Sequence, residues 1–214
     1  MSKDKRILNS LKDYLRPFKY CILRAYAKIH NYFTVKHLLK KAEPLKVELG
    51  AAGMKRDGWI SIDLSDADIM LNLITDKLPF PDNSVDYFYS SHVFEHFSYP
   101  EPMLSILKEC YRSLKPQGIF SIAVPDASIF IEGYAKAAYP YQELYLPAVH
   151  FNGAIDVLNY IAYMDGEHKY MFETDNLLSI LGQAGFHNIH QRPFDNDVDL
   201  EERKGKSIYA IGEK

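Results

Sequence analysis

The stretch that decides the fold is residues 45–63, which read LKVELGAAGMKRDGWISID. Its first five residues form an apolar run typical of a buried strand, and Gly50 and Gly53 follow directly. Glycine lets the backbone adopt positive φ and lets a ligand approach closely. A second apolar run, residues 60–64, carries Asp63 near its end. The order strand, glycine turn, strand, acid indicates a parallel α/β sheet, in which ligands bind beyond the carboxyl ends of the strands.

The chemistry of this unit indicates a nucleoside cofactor. Asp63 at the end of the second strand is well placed to bind two ribose hydroxyls. A dinucleotide fingerprint reads G-x-G-x-x-G with an acid about 20 residues later, whereas residues 50–53 read GAAG and Asp63 comes earlier. Glu48 would also repel a pyrophosphate. Its carboxylate suits a cationic ligand instead, and S-adenosylmethionine carries a ribose, an ammonium and a sulfonium.

The motifs in the rest of the chain strengthen this interpretation. Residues 47–53 resemble the first motif of class I S-adenosylmethionine-dependent methyltransferases, except that Ala52 stands where a second glycine often lies. The downstream motifs are LPFPDNSVD at 78–86, SHVFEHF at 91–97, LKPQG at 114–118 and AVPD at 123–126. In this order and spacing they resemble the small type 11 methyltransferase group, over about residues 45–187. The resemblance implies methyl transfer from S-adenosylmethionine.

The pattern of apolar runs and turn residues predicts the elements of the sheet. Only ten residues, 50–59, join the first two strands, which is fewer than a crossover helix needs, so a loop is expected there. We predict a Rossmann-like, doubly wound α/β sheet of seven strands, mostly parallel with an antiparallel edge strand, plus an N-terminal helical arm. The predicted strands are residues 45–49, 60–64, 68–73, 85–90, 119–124, 186–190 and 207–211, and the predicted helices after the arm are 100–114 and 175–184.

Length and composition are those of one soluble α/β domain. The chain has 214 residues, 47% hydrophobic and 25% charged, which is enough for one sizeable core. It contains no apolar run of about 18 residues and no apolar signal core, so a cytoplasmic protein is expected. Cys21 and Cys110 are far apart in sequence, so neither a disulfide framework nor a zinc site is indicated.

The charges divide the chain into an arm, residues 1–41, and a methyltransferase domain, residues 42–214. The arm holds 11 Lys and Arg against 2 Asp, whereas the remainder holds 14 Lys and Arg against 26 Asp and Glu. The acidic body argues against nucleic-acid binding. Apolar residues recur in the arm at helical spacing. Two interpretations stay open: the arm lies as a basic amphipathic helix on an anionic membrane, or its apolar stripe packs on the domain or a partner subunit.

The resemblance also implies which residues bind the cofactor. The first turn contributes a carboxylate and backbone groups, and Asp63 binds the ribose. Asn72 and Leu73 follow the third strand, where the family contacts adenine, although Asn72 alternatively caps a strand end. Ser91 opens the motif that lines the cleft for cofactor and acceptor. The predicted cofactor-binding residues are Glu48, Gly50, Ala51, Gly53, Asp63, Asn72, Leu73 and Ser91.

The residues around His92 raise a different chemistry, because H-x-x-E-H is an inverted zinc-protease motif. We reject that interpretation, since the motif follows directly on a strand and its neighbours indicate cofactor binding. No metal is therefore predicted. An oxygen acceptor requires a general base, and His92 lies nearest to the carboxyl end of the fourth strand. The predicted catalytic candidates are His92, Asp126, His150 and His168.

Residues 127–170 form an insertion rich in tyrosine and glycine. Such insertions are typical of substrate lids, and tyrosines stack on sugar and ring faces, which favours a glycan or small-molecule acceptor methylated at oxygen. A small helical subdomain with a tyrosine-rich core is the alternative. For the whole protein, the alternative to an enzyme is a non-catalytic methyltransferase-like protein that docks a partner or membrane through its basic arm.

Overall fold

A computed structural model describes residues 24–41, 43–136 and 153–214 of the protein, and in these residues seven strands form one sheet. The spatial order is β3-β2-β1-β4-β5-β7-β6. The first five strands are mutually parallel, whereas β7 runs antiparallel to both β5 and β6. The predicted seven-stranded Rossmann-like sheet is confirmed. The strands are β1 Lys46–Leu49, β2 Trp59–Asp63, β3 Ile69–Met70, β4 Val85–Ser91, β5 Leu114–Pro125, β6 His187–Gln191 and β7 Ser207–Glu213.

Five helices surround the sheet in the described residues. The apolar face of α2 packs Ile106, Leu107 and Cys110 into the main core with Phe88 and Phe120 of the sheet. None of the helices in the described ranges is long and apolar enough to cross a membrane. The helices are α1 over residues 24–38, α2 Met103–Ser113, α3 Ala127–Ala135, α4 Ile155–Tyr163 and α5 Thr174–Gln183.

The β3 edge differs from the prediction, because β3 covers only two residues of the expected 68–73. The chain turns immediately afterwards, where Asn72 Oδ1 accepts a hydrogen bond from the Ile74 amide. The open edge of β3 is closed by Asn31 of α1, whose carboxamide donates to Met70 O at 2.7 Å and accepts from Met70 N at 3.1 Å. Asn31 thus satisfies backbone groups that a further strand would otherwise pair, and it fixes α1 against the sheet.

The connection between β1 and β2 contains no helix, as its length predicts. Trp59 lies on the sheet face beside this connection, with its ring edge-on to Tyr87 and Tyr89. The long loop from 192 to 206, between β6 and β7, meets the same side of the sheet, because Arg56 of the connection donates to the Asp197 carbonyl oxygen at 3.2 Å. A loop and aromatic side chains therefore stand where a larger fold of this kind has a crossover helix.

The described part of the 127–170 insertion is helical. Helices α3 and α4 pack against each other around a small core of their own, formed by Phe130, Val157 and Ile161. Two tyrosines of these helices, Tyr134 and Tyr163, are exposed and lie outside this core. The role of this insertion as a lid stays a prediction, and His150 lies outside the described residues.

Candidate active site

The glycine turn after β1 lies tightly packed between the ends of β2 and β4. Gly50 has φ +68°, and its amide donates to the Ile62 carbonyl oxygen at 2.8 Å. A Cβ atom at Gly50 would lie 2.3 Å from Val93 Cγ2, so no larger residue fits without moving the chain. Ala52, which replaces a second glycine, nevertheless adopts a left-handed conformation with φ 49°.

Asp63 at the end of β2 holds this turn in place. Its Oδ2 accepts a hydrogen bond from the Ala52 amide at 2.8 Å, and its Oδ1 accepts one from the Leu64 amide at 2.6 Å. A carboxylate has about four acceptor positions, so each oxygen keeps a second position for another donor. Asp63 and the turn therefore form one unit at the carboxyl edge of the sheet, as the sequence predicts.

Glu48 is buried and paired with a residue that the sequence reasoning missed. Both Glu48 oxygens lie 3.4 Å from the guanidinium of Arg56, and this guanidinium lies over the Tyr89 ring, 5.4 Å from its centroid. Arg56 therefore compensates a carboxylate that would otherwise be costly to bury. A basic residue eight positions after Glu48 was visible in the sequence, but nothing in the pattern indicated that it folds back.

A cleft of about 490 Å³ opens at the ends of β2 and β3 against α1. Leu64 and Asn72 line it from the sheet, and Arg24 and Tyr26 line it from α1. Asn72 thus lies where the resemblance places an adenine contact. Leu73 instead packs partly buried against the main core, and its neighbour Leu71 lines the cleft.

Ser91 and His92 end β4 and are bound by residues from the far end of the chain. Arg203 Nη1 donates to the Ser91 carbonyl oxygen at 2.8 Å and to Ser91 Oγ at 2.6 Å. His92 Nε2 lies 2.7 Å from Ser207 Oγ. Burial, with added repulsion from Arg203, lowers the pKa of His92 to about 3, so its imidazole is neutral at physiological pH.

The other catalytic candidates have identifiable structural contacts. Asp126 caps α3 by accepting from the amide and the hydroxyl of Ser128. His168 is 3% exposed, and its Nδ1 lies 2.7 Å from the Ile161 carbonyl oxygen. Its ring lies edge-on to that of His96, with centroids 5.0 Å apart. His168 thus lies at the histidine motif after β4.

Glu95 of the same motif lies in a 3-10 turn, Phe94–His96, directly after β4. It is 2% exposed, and its Oε2 has no hydrogen-bond partner. Burial raises the pKa of Glu95 to about 8. The sequence reasoning did not include Glu95 or His96 among the site residues, although both belong to the quoted motif.

Comparison with known proteins agrees with this geometry. Residues 40–122 match the type 11 family described as a methyltransferase domain. This match covers less than half of the chain, and it makes that segment similar to the S-adenosylmethionine-dependent methyltransferase domains of type 11. The chain is 26% identical over 132 residues to a probable S-adenosylmethionine-dependent methyltransferase of Mycolicibacterium smegmatis, and 27% identical over 150 residues to a demethylmenaquinone methyltransferase of Anoxybacillus flavithermus. These alignments cover 62% and 69% of the chain, and the chain spans only 41% and 58% of the two relatives.

Solved structures of methyltransferases share the fold of the domain. A S-adenosylmethionine-dependent methyltransferase from Archaeoglobus fulgidus has a TM-score of 0.50 at 16% identity, with 97% of this chain and 99% of that chain covered. PigF in complex with S-adenosylhomocysteine has a TM-score of 0.52 at 14% identity, with 79% and 50% covered. S-adenosylmethionine is the cofactor of the family. The parts of this structure that could hold it are the glycine turn, Asp63 and the adjoining cleft.

Proposed function

We propose that the protein binds S-adenosylmethionine at the carboxyl edge of β1, β2 and β3 and transfers its methyl group to an acceptor. The observation that carries this proposal is the unit formed by the Gly50–Gly53 turn and Asp63. The turn brings two glycines and no side chain larger than a methyl group to the sheet edge, and Asp63 keeps acceptor positions there. The cleft of about 490 Å³ beside this unit has a volume within the range of small-molecule sites.

The residues of the cleft match the parts of the cofactor. The free acceptor positions of Asp63 suit the two ribose hydroxyls, and the side-chain amide of Asn72 offers a donor to an adenine edge. Glu48 lies near the end of β1, where its carboxylate is paired with Arg56, and Leu64, which follows Asp63, lines the cleft itself. When bound, the cofactor supplies an electrophilic methyl group on a sulfonium. The protein then chiefly orients two partners, which can contribute about 7–11 kcal/mol to lowering the barrier.

We infer an oxygen atom of a small molecule or glycan as the acceptor, with His92 as the group that takes its proton. His92 follows β4 at the same sheet edge. Its pKa of about 3 makes it a weak base, so it takes the proton only as the attacking oxygen gains positive charge during methyl transfer. The α3–α4 insertion starts at the carboxyl end of β5, so it begins beside this position and supplies the acceptor wall. Transfer of a labelled methyl group from S-adenosylmethionine to panels of phenols, carboxylic acids and glycans would test the acceptor class and distinguish an enzyme from a non-catalytic binding protein.

Titration calorimetry tests the cofactor site. Wild-type protein should bind S-adenosylmethionine, and Asp63→Ala should weaken binding at least about tenfold, because a hydrogen bond to a charged group contributes about 1.5–3 kcal/mol. Asp57→Ala removes the same charge from an exposed position in the β1–β2 connection and should leave affinity unchanged. Asp63→Asn, which keeps one acceptor oxygen for the turn, separates ribose binding from damage to the turn. Equal affinity of wild type and both Asp63 variants would refute this site.

A second proposal concerns the outer face of α1, which we infer to contact an anionic membrane surface. Ile29 and Phe33 are 61% and 63% exposed on this face, one helical turn apart. Lys28, Lys36 and Lys40 are exposed on the same helix or directly after it. An apolar stripe flanked by lysines is complementary in charge and polarity to an anionic lipid surface.

A further inference from the structure

Three side chains from two parts of the chain converge beside the end of β4. Glu95 and His96 belong to the 3-10 turn after this strand. His168 lies shortly before Phe172, which forms a β-bridge with Asp126 at the end of β5. Each of the three offers a ligand atom within 4.8 Å of those of the other two. Glu95 and His168 are buried, whereas His96 is partly exposed, which leaves a route from solvent to the cluster.

The hydrogen bonds of the two imidazoles determine which nitrogen atoms are available. Nδ1 of His168 lies 2.7 Å from the Ile161 carbonyl oxygen, and Nδ1 of His96 lies 3.2 Å from the Glu167 carbonyl oxygen. A carbonyl oxygen can only accept, so both Nδ1 atoms carry the proton and both Nε2 atoms carry a lone pair. Histidines that bind metals commonly donate their other N–H to a backbone carbonyl in this manner.

The third side chain supplies a carboxylate oxygen without a partner. Glu95 Oε2 is buried and makes no hydrogen bond, although a buried carboxylate without compensation is costly. Neither imidazole of the cluster donates a hydrogen bond to this oxygen. Two neutral imidazole nitrogens and one carboxylate oxygen are a ligand set that binds Zn²⁺.

We propose that Glu95, His96 and His168 bind a divalent transition-metal ion, with zinc as the reference metal. Zinc ligands at about 2.0–2.2 Å from a tetrahedral centre lie about 3.4 Å apart, so binding draws the three side chains together by up to about an ångström and a half. This is a different set from the H-x-x-E-H pattern of zinc proteases, because His92 is bound to Ser207 and the third ligand comes from 72 residues after His96.

The site leaves at least one coordination position open, since three protein ligands do not complete a tetrahedron. His92 lies beside it, with Nδ1 at 3.8 Å from Glu95 Oε1. The three ligands therefore lie next to the edge of the sheet at which acceptor binding is proposed. The metal site itself is independent of methyl transfer, because it rests on the geometry of its three ligands.

Metal binding can be tested on the full-length protein, expressed without a histidine tag and stripped with a chelator. Titration with Zn²⁺ should show one ion bound per chain by calorimetry, and Co²⁺ should give the absorption spectrum of a four- or five-coordinate site. Glu95→Gln and His96→Asn should each weaken Zn²⁺ binding at least about tenfold. His187→Asn makes the same change at an exposed histidine of β6 and should bind Zn²⁺ as wild type does.

The outcomes distinguish a metal site from a cluster of side chains that binds no metal ion. Wild-type protein that takes up no Zn²⁺ would overturn the proposal, as would Zn²⁺ binding that both ligand variants retain. Circular dichroism of each variant checks its fold. If Glu95→Gln does not fold, His96→Asn decides, because its side chain is partly exposed. If His96→Asn loses Zn²⁺ binding but keeps the S-adenosylmethionine affinity of wild type, the metal site is distinct from the proposed cofactor site. The test of one site then does not depend on the test of the other.

Discussion

His92 combines an unusual backbone conformation with a proposed catalytic role. It has φ 54°, a left-handed conformation that asparagine adopts more readily than most residues. His92→Asn should therefore preserve the end of β4 while removing the imidazole. We expect turnover of the best acceptor from the labelled-methyl assay to fall about a hundredfold, with S-adenosylmethionine affinity unchanged by calorimetry. His187→Asn on β6 is the matched control.

Two other results for His92→Asn would change its assignment. Joint loss of turnover and of S-adenosylmethionine affinity would mean that His92 shapes the cofactor cleft. Unchanged turnover would mean that another group takes the proton, and His168 would be the next described candidate. Asp126 is a weaker candidate, because its carboxylate already caps α3 through Ser128.

The packing of the glycine turn against Asp63 could be predicted from sequence because its requirements are local. Gly50 and Asp63 lie 13 positions apart in one strand-turn-strand unit, so their order alone indicates their proximity. Arg203 could not be predicted, since it reaches Ser91 from 112 residues away. Ser207 reaches His92 across 115 residues. Such pairs depend on the register of β7 in the sheet, which no short pattern contains.

At the scale of elements, α1 has two apolar faces rather than one. Val35 and Asn31 pack its inner face against the sheet, while Ile29 and Phe33 leave its outer face exposed. Helical spacing in the sequence predicted the helix. It could not distinguish a membrane from the domain as the partner of the apolar stripe, because both interpretations rest on apolar residues at the same spacing. Packing on the domain accounts for the inner face of the described segment, and the membrane proposal concerns only the outer face.

The outer face of α1 can be tested by removing its two exposed apolar side chains. Wild-type protein should sediment with vesicles that contain phosphatidylglycerol, less so as salt rises, and not with phosphatidylcholine alone. The double variant Ile29→Ser, Phe33→Ser should lose at least about tenfold in vesicle affinity, because each buried apolar side chain contributes up to about 1.5–3 kcal/mol. This double variant should bind S-adenosylmethionine as wild type does.

A matched control for this face is the double variant Ile131→Ser, Ile155→Ser. These two side chains are 52% and 48% exposed on α3 and α4, so the control removes a similar, somewhat smaller, apolar surface elsewhere. Wild-type protein that ignores anionic vesicles at low salt would refute the membrane proposal. Loss of a dimer in the Ile29 and Phe33 variant, without vesicle binding by wild type, would instead identify a second copy of the chain as the partner.

The absence of a helix from the β1–β2 connection could be predicted from sequence. Ten residues are too few for a crossover helix, and the structure has none there. What replaces this helix could not be predicted, because the 192–206 loop, which Arg56 contacts at the Asp197 carbonyl oxygen, has no periodic apolar residues. Likewise, β3 is shorter than its apolar run suggests, since Asn31 and not a neighbouring strand pairs with its edge.

At the scale of the whole molecule, the 192–206 loop contains a buried ion pair that contacts the sheet. Arg192 donates to both oxygens of Asp199 at 2.6 and 2.7 Å, and the Asp199 side chain is 0% exposed. Tyr89 of β4 also donates to Asp199, at 2.9 Å, and Arg192 Nε donates to Ser121 of β5 at 3.0 Å. The pair therefore joins the loop to the two central strands.

Burial alone opposes ionisation of Asp199, but the hydrogen bonds from Arg192 and from the Asp195 amide outweigh it and lower the pKa of Asp199. A carboxyl group whose pKa is lower in the folded than in the unfolded state stabilises the fold above its unfolded pKa, and this stabilisation is lost as pH falls through the folded value. The unfolded value for aspartate is about 3.9. The pair should therefore contribute fully at neutral pH and progressively less below about pH 4.

Asp199→Asn keeps the shape of the side chain and removes its charge, which leaves Arg192 buried without an ionic partner. We expect the free energy of unfolding at pH 7 to fall by about 3 kcal/mol, as for other broken buried pairs. Urea denaturation measures this difference, which should persist at about pH 5 and shrink below about pH 4. Asp197→Asn, an exposed change in the same loop, should match wild type throughout. Equal urea midpoints for Asp199→Asn and wild type at pH 7 would show that the loop is held by its aromatic and backbone contacts instead, with Arg192 stacked 5.1 Å from the centroid of the Tyr209 ring.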